Sequence, residues 1–302
     1  MRASAKLAPP ALICACIDIG SNTTRLLVAE AADGHLRELV TQRAFTRIGR
    51  SLLRGSAIPA AKVEETAEVA ATQARVAREV GAERLVAVAT AAIRDATNRD
   101  ELAGAVARSV GEPLHVLSSE EEARLSFVGA TRTLAGAAEG TIAVADVGGG
   151  STELAVGAAD GTMQWSSSFR VGSGFLADSY LRSDPPSIAE LEAVRRHASG
   201  AFEGLEVPPA RSAVAVGGTA TSLRRLVGGE LAHETLERGI RVLSSNPIRD
   251  VARRFELDPE RVRLLPAGIL VLEAVSDTLG LPLKIARGGL REGVILELVE
   301  GR

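Results

Sequence analysis

Lysine is almost missing from this 302-residue chain: Lys6, Lys62 and Lys284 are the only three among 35 basic side chains. None of them follows a glycine, which excludes the G-x-x-x-x-G-K-[ST] phosphate loop. Cysteine is nearly as scarce. Cys14 and Cys16 stand two apart, so in a strand they share a face; that spacing makes a poor disulfide and leaves a zinc site without its second pair. They read as reduced core residues of a cytoplasmic protein. Neither has an arginine six positions on, so the loop of a cysteine-dependent phosphatase is missing too. There is no G-x-S-x-G elbow and no H-E-x-x-H pair, and His35, His115, His197 and His233 are scattered. No run approaches the roughly 18 apolar residues of a membrane helix. The apolar stretch 11–17 runs straight into Asp18 and Gly20 with no cleavage-site pattern, so a buried strand suits it better than a secretion signal. Basic excess is lacking as well. The 38 acidic and 35 basic residues give a net charge of −3, which argues against a general nucleic-acid coat.

What remains is a globular composition, 46% hydrophobic and 24% charged, of a length that suits two domains rather than one core. Residues 12–17 and 24–31 read as strands joined by a Gly-Ser-Asn turn, with Asp33-Gly34 marking a hairpin. Residues 59–80 read as a helix closed by Gly81, 85–89 as a buried strand, 99–110 as a helix and 114–117 as a short strand. Arg94 ends the strand-like stretch 87–93, and Ser118 and Ser119 open a helix running to about residue 134. Further on, 188–202, 247–255, 259–279 and 291–299 read as helices, and 212–216 and 283–286 as strands. Gly217-Gly218-Thr219 ends the first of those strands, with a helix from Ala220. Such alternation predicts an α/β fold with helices packed on sheets.

The most informative feature is an internal repeat. Asp18-Ile19-Gly20-Ser21-Asn22-Thr23-Thr24-Arg25-Leu26-Leu27-Val28 lines up with Asp146-Val147-Gly148-Gly149-Gly150-Ser151-Thr152-Glu153-Leu154-Ala155-Val156, 128 residues further on. Both copies sit between apolar strands, and each is followed by an Asp-Gly signal, Asp33-Gly34 or Asp160-Gly161. Two copies of strand, Asp-x-Gly turn and strand imply two similarly built halves facing one another. A tight Gly/Ser/Thr turn exposes consecutive backbone N–H groups and hydroxyls, a concavity that binds phosphate oxygens. Two such turns across a cleft can clamp adjacent phosphates. Asp18 and Asp146, at the ends of the leading strands, offer carboxylates to a divalent metal or to an attacking water, and an oxygen-rich site of this kind favours Mg²⁺, with Mn²⁺ as the alternative ion.

Four motifs together resemble the exopolyphosphatase/guanosine pentaphosphate phosphatase (Ppx/GppA) family. They are Ile17-Asp18-Ile19-Gly20-Ser21-Asn22, Leu117-Ser118-Ser119-Glu120-Glu121-Glu122-Ala123-Arg124-Leu125, the second copy of the repeat, and Gly289-Leu290-Arg291-Glu292-Gly293. The resemblance spans nearly the whole chain. It implies a duplicated actin/hexokinase/Hsp70-like (ribonuclease H-like) α/β fold, with residues 1–118 plus 292–302 in one domain and 119–291 in the other. It also implies release of terminal phosphate from phosphoanhydride chains in a cleft between them. Inorganic polyphosphate would be the substrate; guanosine pentaphosphate, (p)ppGpp or another nucleotide is the alternative, and an actin-like nucleotide-binding assembly module is the alternative of a different class. No nucleic acid or membrane is implied, and a homodimer stays open.

Carried over by the resemblance, Glu122 would be the catalytic carboxylate that orients water, and Arg94 would meet the substrate chain. Asp18 sits on the first phosphate loop, and Asp146 and Glu153 match metal-associated acids. Gly20, Ser21, Asn22 and Thr23 would hold phosphate together with Gly148, Gly149, Gly150 and Ser151. Each assignment has a plainer rival. Ser118 with Glu121, or Ser119 with Glu122, fits a capping box equally well. Arg94 could pair with Asp95 or Asp100 on the surface, and Glu153 could point outward, since its partner in the repeat is Arg25. Gly217, Gly218 and Thr219 fit a nucleotide-binding turn or an ordinary tight turn. Where the family usually has glycine this chain has Ser119, and it stops soon after Arg291-Glu292-Gly293, without the helical extension of long members. Shorter substrates are the resulting expectation.

Overall fold

The computed structural model describes residues 11–32, 34–51, 56–134 and 140–301. The first half carries strands β1 (Leu12–Ile19), β2 (Thr24–Ala32), β3 (His35–Ala44), β4 (Arg84–Ala89) and β5 (Leu114–Val116), with helices α1 (Ala60–Glu79), α2 (Ala91–Arg94) and α3 (Arg99–Val110). Helix α4 (Ser119–Arg132) leads into β6 (Thr141–Val147), β7 (Thr152–Ala158) and β8 (Met163–Phe169), then α5 (Ser173–Tyr180) and α6 (Ile188–Ala201). The chain continues through β9 (Ser212–Val216), α7 (Gly217–Val227), β10 (Glu230–Leu231), α8 (His233–Ser245), α9 (Ile248–Phe255), α10 (Pro259–Leu279), β11 (Leu283–Ile285) and α11 (Leu290–Glu300).

The repeat in the sequence is a repeat in topology. The first sheet runs β3-β2-β1-β4-β5 and the second β8-β7-β6-β9-β11, with β10 added at its edge. In each, the first three strands are antiparallel and the last two join in parallel. Equivalent positions also share register: Asp18 pairs with Arg25 across β1–β2, and Asp146 with Glu153 across β6–β7. This is the duplicated α/β architecture.

The central strands are buried on both faces, as parallel-sheet strands usually are. Ala15, Ile17 and Ile19 of β1 pack with the alanine-rich face of α1 and with α3. Cys14 and Cys16, both reduced and sharing the opposite face, pack with Leu125 of α4 and with Leu290, Val294 and Ile295 of α11. The far face of α4 carries Phe127 and Ala130 against the second sheet. Helices α4 and α11 therefore lie between the two sheets. They touch backbone to backbone: a Cβ on Gly129 would stand 1.9 Å from the Gly289 carbonyl oxygen, and one on Gly293 would stand 2.0 Å from that of Leu125. Gly129→Ala should therefore overpack this crossing and cost about 1–3 kcal/mol. A urea titration checks it, with a lower midpoint at unchanged slope expected.

Most elements fall where the pattern predicts, with instructive exceptions. Residues 91–94 form the short helix α2 rather than the end of a strand, because β4 stops at Ala89 and the Ile93 and Arg94 amides turn back to the Thr90 carbonyl. An apolar run of strand length does not by itself tell strand from buried helix. Helix α7 starts at Gly217 instead of Ala220, β3 is present in the sequence reading only as the far side of the Asp33-Gly34 hairpin, and α5, α8 and β10 have no counterpart there. Of the first hairpin signal, Asp33 lies outside the described residues. Among the described residues no helix is long and apolar enough to cross a membrane.

Candidate active site

The two repeat loops close in the same way: the Gly20 amide donates to the Thr23 carbonyl and the Gly148 amide to that of Ser151, both at 3.0 Å. Each is braced from outside. The Arg47 and Gly49 amides donate to the Asn22 and Ser21 carbonyls at 3.0 and 2.7 Å. The amides at the start of α5, from Ser173, Gly174 and Phe175, donate to the Gly148 and Gly149 carbonyls at 2.9–3.0 Å. With those carbonyls committed, the Ser21, Asn22, Gly149 and Gly150 amides donate to no carbonyl among the described residues. Such a row of free amides is a nest for an anion. The glycines also let the loops meet. A Cβ on Gly150 would stand 2.5 Å from Ser21 Oγ, and one on Gly174 would stand 2.0 Å from Asn22 Nδ2.

Carboxylates line the same cavity, which encloses about 100 Å³. Asp18 is pushed up to about 6, chiefly by burial, and its buried Oδ1 has no hydrogen-bond partner among the described residues. Burial also raises Asp146, opposed by Ser126 Oγ of α4, which donates to its Oδ2 at 2.7 Å. Gly217, at φ +84°, leaves room for this carboxylate, since a Cβ there would lie 2.3 Å from Asp146 Oδ1. Glu153 is buried rather than outward-facing. Desolvation and the neighbouring Asp146 push it up to about 7 although Ser168 Oγ donates to it at 2.9 Å.

Glu122 settles the capping question. The box at the start of α4 is made by its neighbour: Ser118 Oγ accepts from the Glu121 amide at 3.2 Å, and the Glu121 carboxylate accepts from the Ser118 amide at 2.8 Å. One residue further round the helix, Glu122 turns inward, 6% exposed, to border the cavity. Arg94 Nη1 donates to its Oε2 at 2.9 Å and to the Leu117 carbonyl at 2.8 Å. Burial, with help from Glu153, raises Glu122 well above the ordinary carboxylate range, against the pull of Arg94. Arg94 thus stands behind Glu122, and Asp95 takes Arg170 instead.

Gly217 and Gly218 border the cavity, but Thr219 does not. Its hydroxyl is buried and donates to the Val147 carbonyl at 3.0 Å, fastening α7 to the end of β6, while Thr221 reaches the cavity instead. Four arginines and a glutamate also line the cavity: Arg25, Arg261, Arg287, Arg291 and Glu292. Arg25 is held down to about 9, first by Arg291 and then by burial. Arg261 is pushed down to about 10 by burial, and its Nε has no partner among the described residues. Arg291 Nη1 donates to the Leu26 carbonyl at 3.1 Å, and Glu292 Oε2 accepts from the Gly289 amide at 2.9 Å, capping α11. The signal for Arg25 was present in the repeat, where it stands opposite Glu153. Arg261 and Arg287 lie in no motif. Among the described residues, no three His, Cys, Asp or Glu side chains form a ready-made metal cage.

Comparison with known proteins places this arrangement among relatives. A family model described as the Ppx/GppA phosphatase family matches residues 27–301, a stretch that begins just after the first loop. The chain is 30% identical over 305 residues to exopolyphosphatase 1 of Mycobacterium tuberculosis, covering 94% of this chain and 87% of that one. It is 28% identical over 302 residues to a guanosine-5'-triphosphate,3'-diphosphate pyrophosphatase of Aeromonas hydrophila, covering 94% of this chain and 59% of the relative. The crystal structure of an Aquifex aeolicus Ppx/GppA family member superposes with a TM-score of 0.80 at 28% identity, over 97% of this chain and 99% of the other.

Proposed function

The chain belongs to the Ppx/GppA phosphatase family, and on that premise we propose that it hydrolyses the terminal phosphoanhydride bond of inorganic polyphosphate, releasing orthophosphate. One observation carries the reading. Glu122, relieved of capping duty by Glu121 and tied to Arg94, borders the same cavity as both phosphate loops and Asp18 and Asp146.

The amides and hydroxyls of the loops fix the terminal phosphoryl group, so that attack by water becomes a local event rather than an encounter. Glu122 orients that water and accepts its proton, a task helped by a carboxyl whose pKa burial raises well above the ordinary carboxylate range. Arg94 holds Glu122 in place and keeps part of the local positive charge beside the reacting group. Asp18, with its orphaned Oδ1, and Asp146 would hold Mg²⁺, or Mn²⁺, and Glu153 would add charge beside Asp146. With no closed cage of three acids among the described residues, phosphate oxygens would complete the ion's shell, the usual habit of Mg²⁺. Such an ion supplies neutralisation of charge on the transferring group. The Aeromonas hydrophila relative supports a second reading, removal of the 5′-terminal phosphate of guanosine pentaphosphate at the same site.

Orthophosphate release from polyphosphate of defined lengths, pppGpp and ATP, with Mg²⁺ and with chelator, tests the proposal. Polyphosphate should give the highest kcat/KM, lost with chelator and restored by Mg²⁺. A clear preference for pppGpp would overturn the choice of substrate. Tight ATP binding with no release from any of the three would indicate a binding module instead.

A further inference from the structure

Asp18 and Asp146 hold equivalent places in the repeat, yet of the two only Asp146 is met by a hydroxyl among the described residues. Ser126 Oγ donates to its Oδ2 at 2.7 Å, the length of a charge-assisted bond to a carboxylate. A hydroxyl on a helix commonly turns back onto its own backbone. Toward the end of α4, Thr131 and Thr133 do so, donating to the Phe127 and Gly129 carbonyls at 2.8 and 2.6 Å. Ser126 instead reaches out of the helix to the end of β6.

This serine is 1% exposed and has little freedom to follow a moving carboxylate. Its helix is capped by Ser118 and Glu121, packs Phe127 against the second sheet and meets Gly289 backbone to backbone at Gly129. Ser126 does not border the cavity, so it acts only through Asp146, which does. The other oxygen of that carboxylate is kept open. A side chain at Gly217 would begin 2.3 Å from Oδ1, and glycine puts nothing there. Oδ2 is thus committed, while Oδ1 is left to a ligand.

That division matters for a cation. Mg²⁺ demands a near-ideal octahedron, into which a carboxylate fits by one oxygen, beside waters and phosphate oxygens. Ca²⁺ is larger, gathers more oxygens in looser geometry and readily takes both from one carboxylate. We propose that Ser126 is a positioning residue for cation choice: by holding Oδ2 it confines Asp146 to a single ligating oxygen, which suits Mg²⁺ and disfavours Ca²⁺. This deepens the divalent-cation reading of the site and rests on it for the place of the ion. The rival is a frame contact, in which Ser126 only ties α4 to β6. Removing a frame contact lowers stability and leaves the order of cations as it was, whereas freeing Oδ2 changes that order.

The test is displacement of Mn²⁺, read from its free-ion EPR signal, by Mg²⁺ and by Ca²⁺ on the full-length protein without substrate. The unsubstituted protein should give up Mn²⁺ to Mg²⁺ at lower concentration than to Ca²⁺. Ser126→Ala should move the ratio of the two displacement constants about tenfold toward Ca²⁺, the usual scale for a group that orients a ligating residue. Ser126→Cys fills nearly the same space but donates only weakly, so it should move the ratio the same way and serves where alanine costs too much stability. A ratio within about twofold of the unsubstituted protein's, a shift toward Mg²⁺, a preference for Ca²⁺ before any substitution, or no Mn²⁺ bound at all would each overturn the role of Ser126. Hydrolysis of polyphosphate with and without chelator reads the cation itself. Activity that needs Mg²⁺ beside an unchanged ratio sinks the role of Ser126 alone, and activity indifferent to chelator sinks the cation reading beneath it.

Discussion

Replacing Glu122 by glutamine should lower turnover at least about a hundredfold while leaving substrate binding in place, the loss expected when a positioned proton acceptor is removed. Glutamine has nearly the same shape and still offers an oxygen to Arg94 Nη1, which holds the present carboxylate at 2.9 Å. The N-terminal cap of α4 is untouched, because Ser118 and Glu121 make it. Folding should therefore survive, and steady-state orthophosphate release beside a binding isotherm separates the two effects. The pH profile adds an independent mark. Burial raises the Glu122 pKa well above the ordinary carboxylate value, so its proton is lost only at correspondingly higher pH. Turnover should rise with pH as the carboxylate ionises, and the variant should lose the Glu122 part of that limb and keep only the part that follows Asp18 and Glu153, at about 6 and about 7. Retained activity would return Glu122 to a structural role.

Glu153→Gln should make the protein more stable and less active. In the fold Glu153 is pushed up to about 7, and its ordinary value is 4.5, so the unfolded chain gives up the proton first. The favourable contribution of the protonated group is thus complete below about pH 4.5 and is lost as pH rises through about 7. Above that, the folded protein carries a buried charge that costs up to about 3 kcal/mol, from about 1.4 kcal/mol per pKa unit. Glutamine carries no such charge and still accepts from Ser168 Oγ. Urea unfolding at pH 8 should show the variant stabilised by about 1–3 kcal/mol, with little difference at pH 4. Phosphate release should fall about tenfold or more, because charge beside Asp146 is lost where cations are to be held. An unchanged midpoint at pH 8 would mean that the Glu153 charge is not held at a cost.

Both predictions concern residues that the sequence points to, Glu122 through the motif at 117–125 and Glu153 through the repeat. A duplicated strand–turn–strand unit copies its register along with its residues, so aligning Asp18 with Asp146 also aligned Arg25 with Glu153, and each sheet sets its own aspartate across from its own partner, Asp18 from Arg25 and Asp146 from Glu153. The same alignment shows where the copies differ: opposite charge at one register position gives one half an arginine and the other a carboxylate. Local signals were less decisive. Two overlapping capping boxes at Ser118 and Ser119 are equivalent in sequence, and only the inward turn of α4 toward Arg94 chooses between them. Arg261 and Arg287 reach the cavity from the start of α10 and from the loop before α11. Their approach depends on tertiary packing that no periodicity encodes. Thr219 shows the converse, a motif residue whose hydroxyl belongs to the frame rather than the cavity.

Hydrolysis in water enriched in ¹⁸O, with a polyphosphate of defined length and Mg²⁺, addresses the central proposal most directly. Attack by a water at the terminal phosphorus puts a single ¹⁸O into each orthophosphate released and none into the chain left behind. Phosphorus NMR and mass spectrometry of the two products read this at once. Labelled orthophosphate with an unlabelled chain shortened one unit at a time is the expected result. Label in the remaining chain, cleavage at internal bonds, or no release of orthophosphate would contradict it.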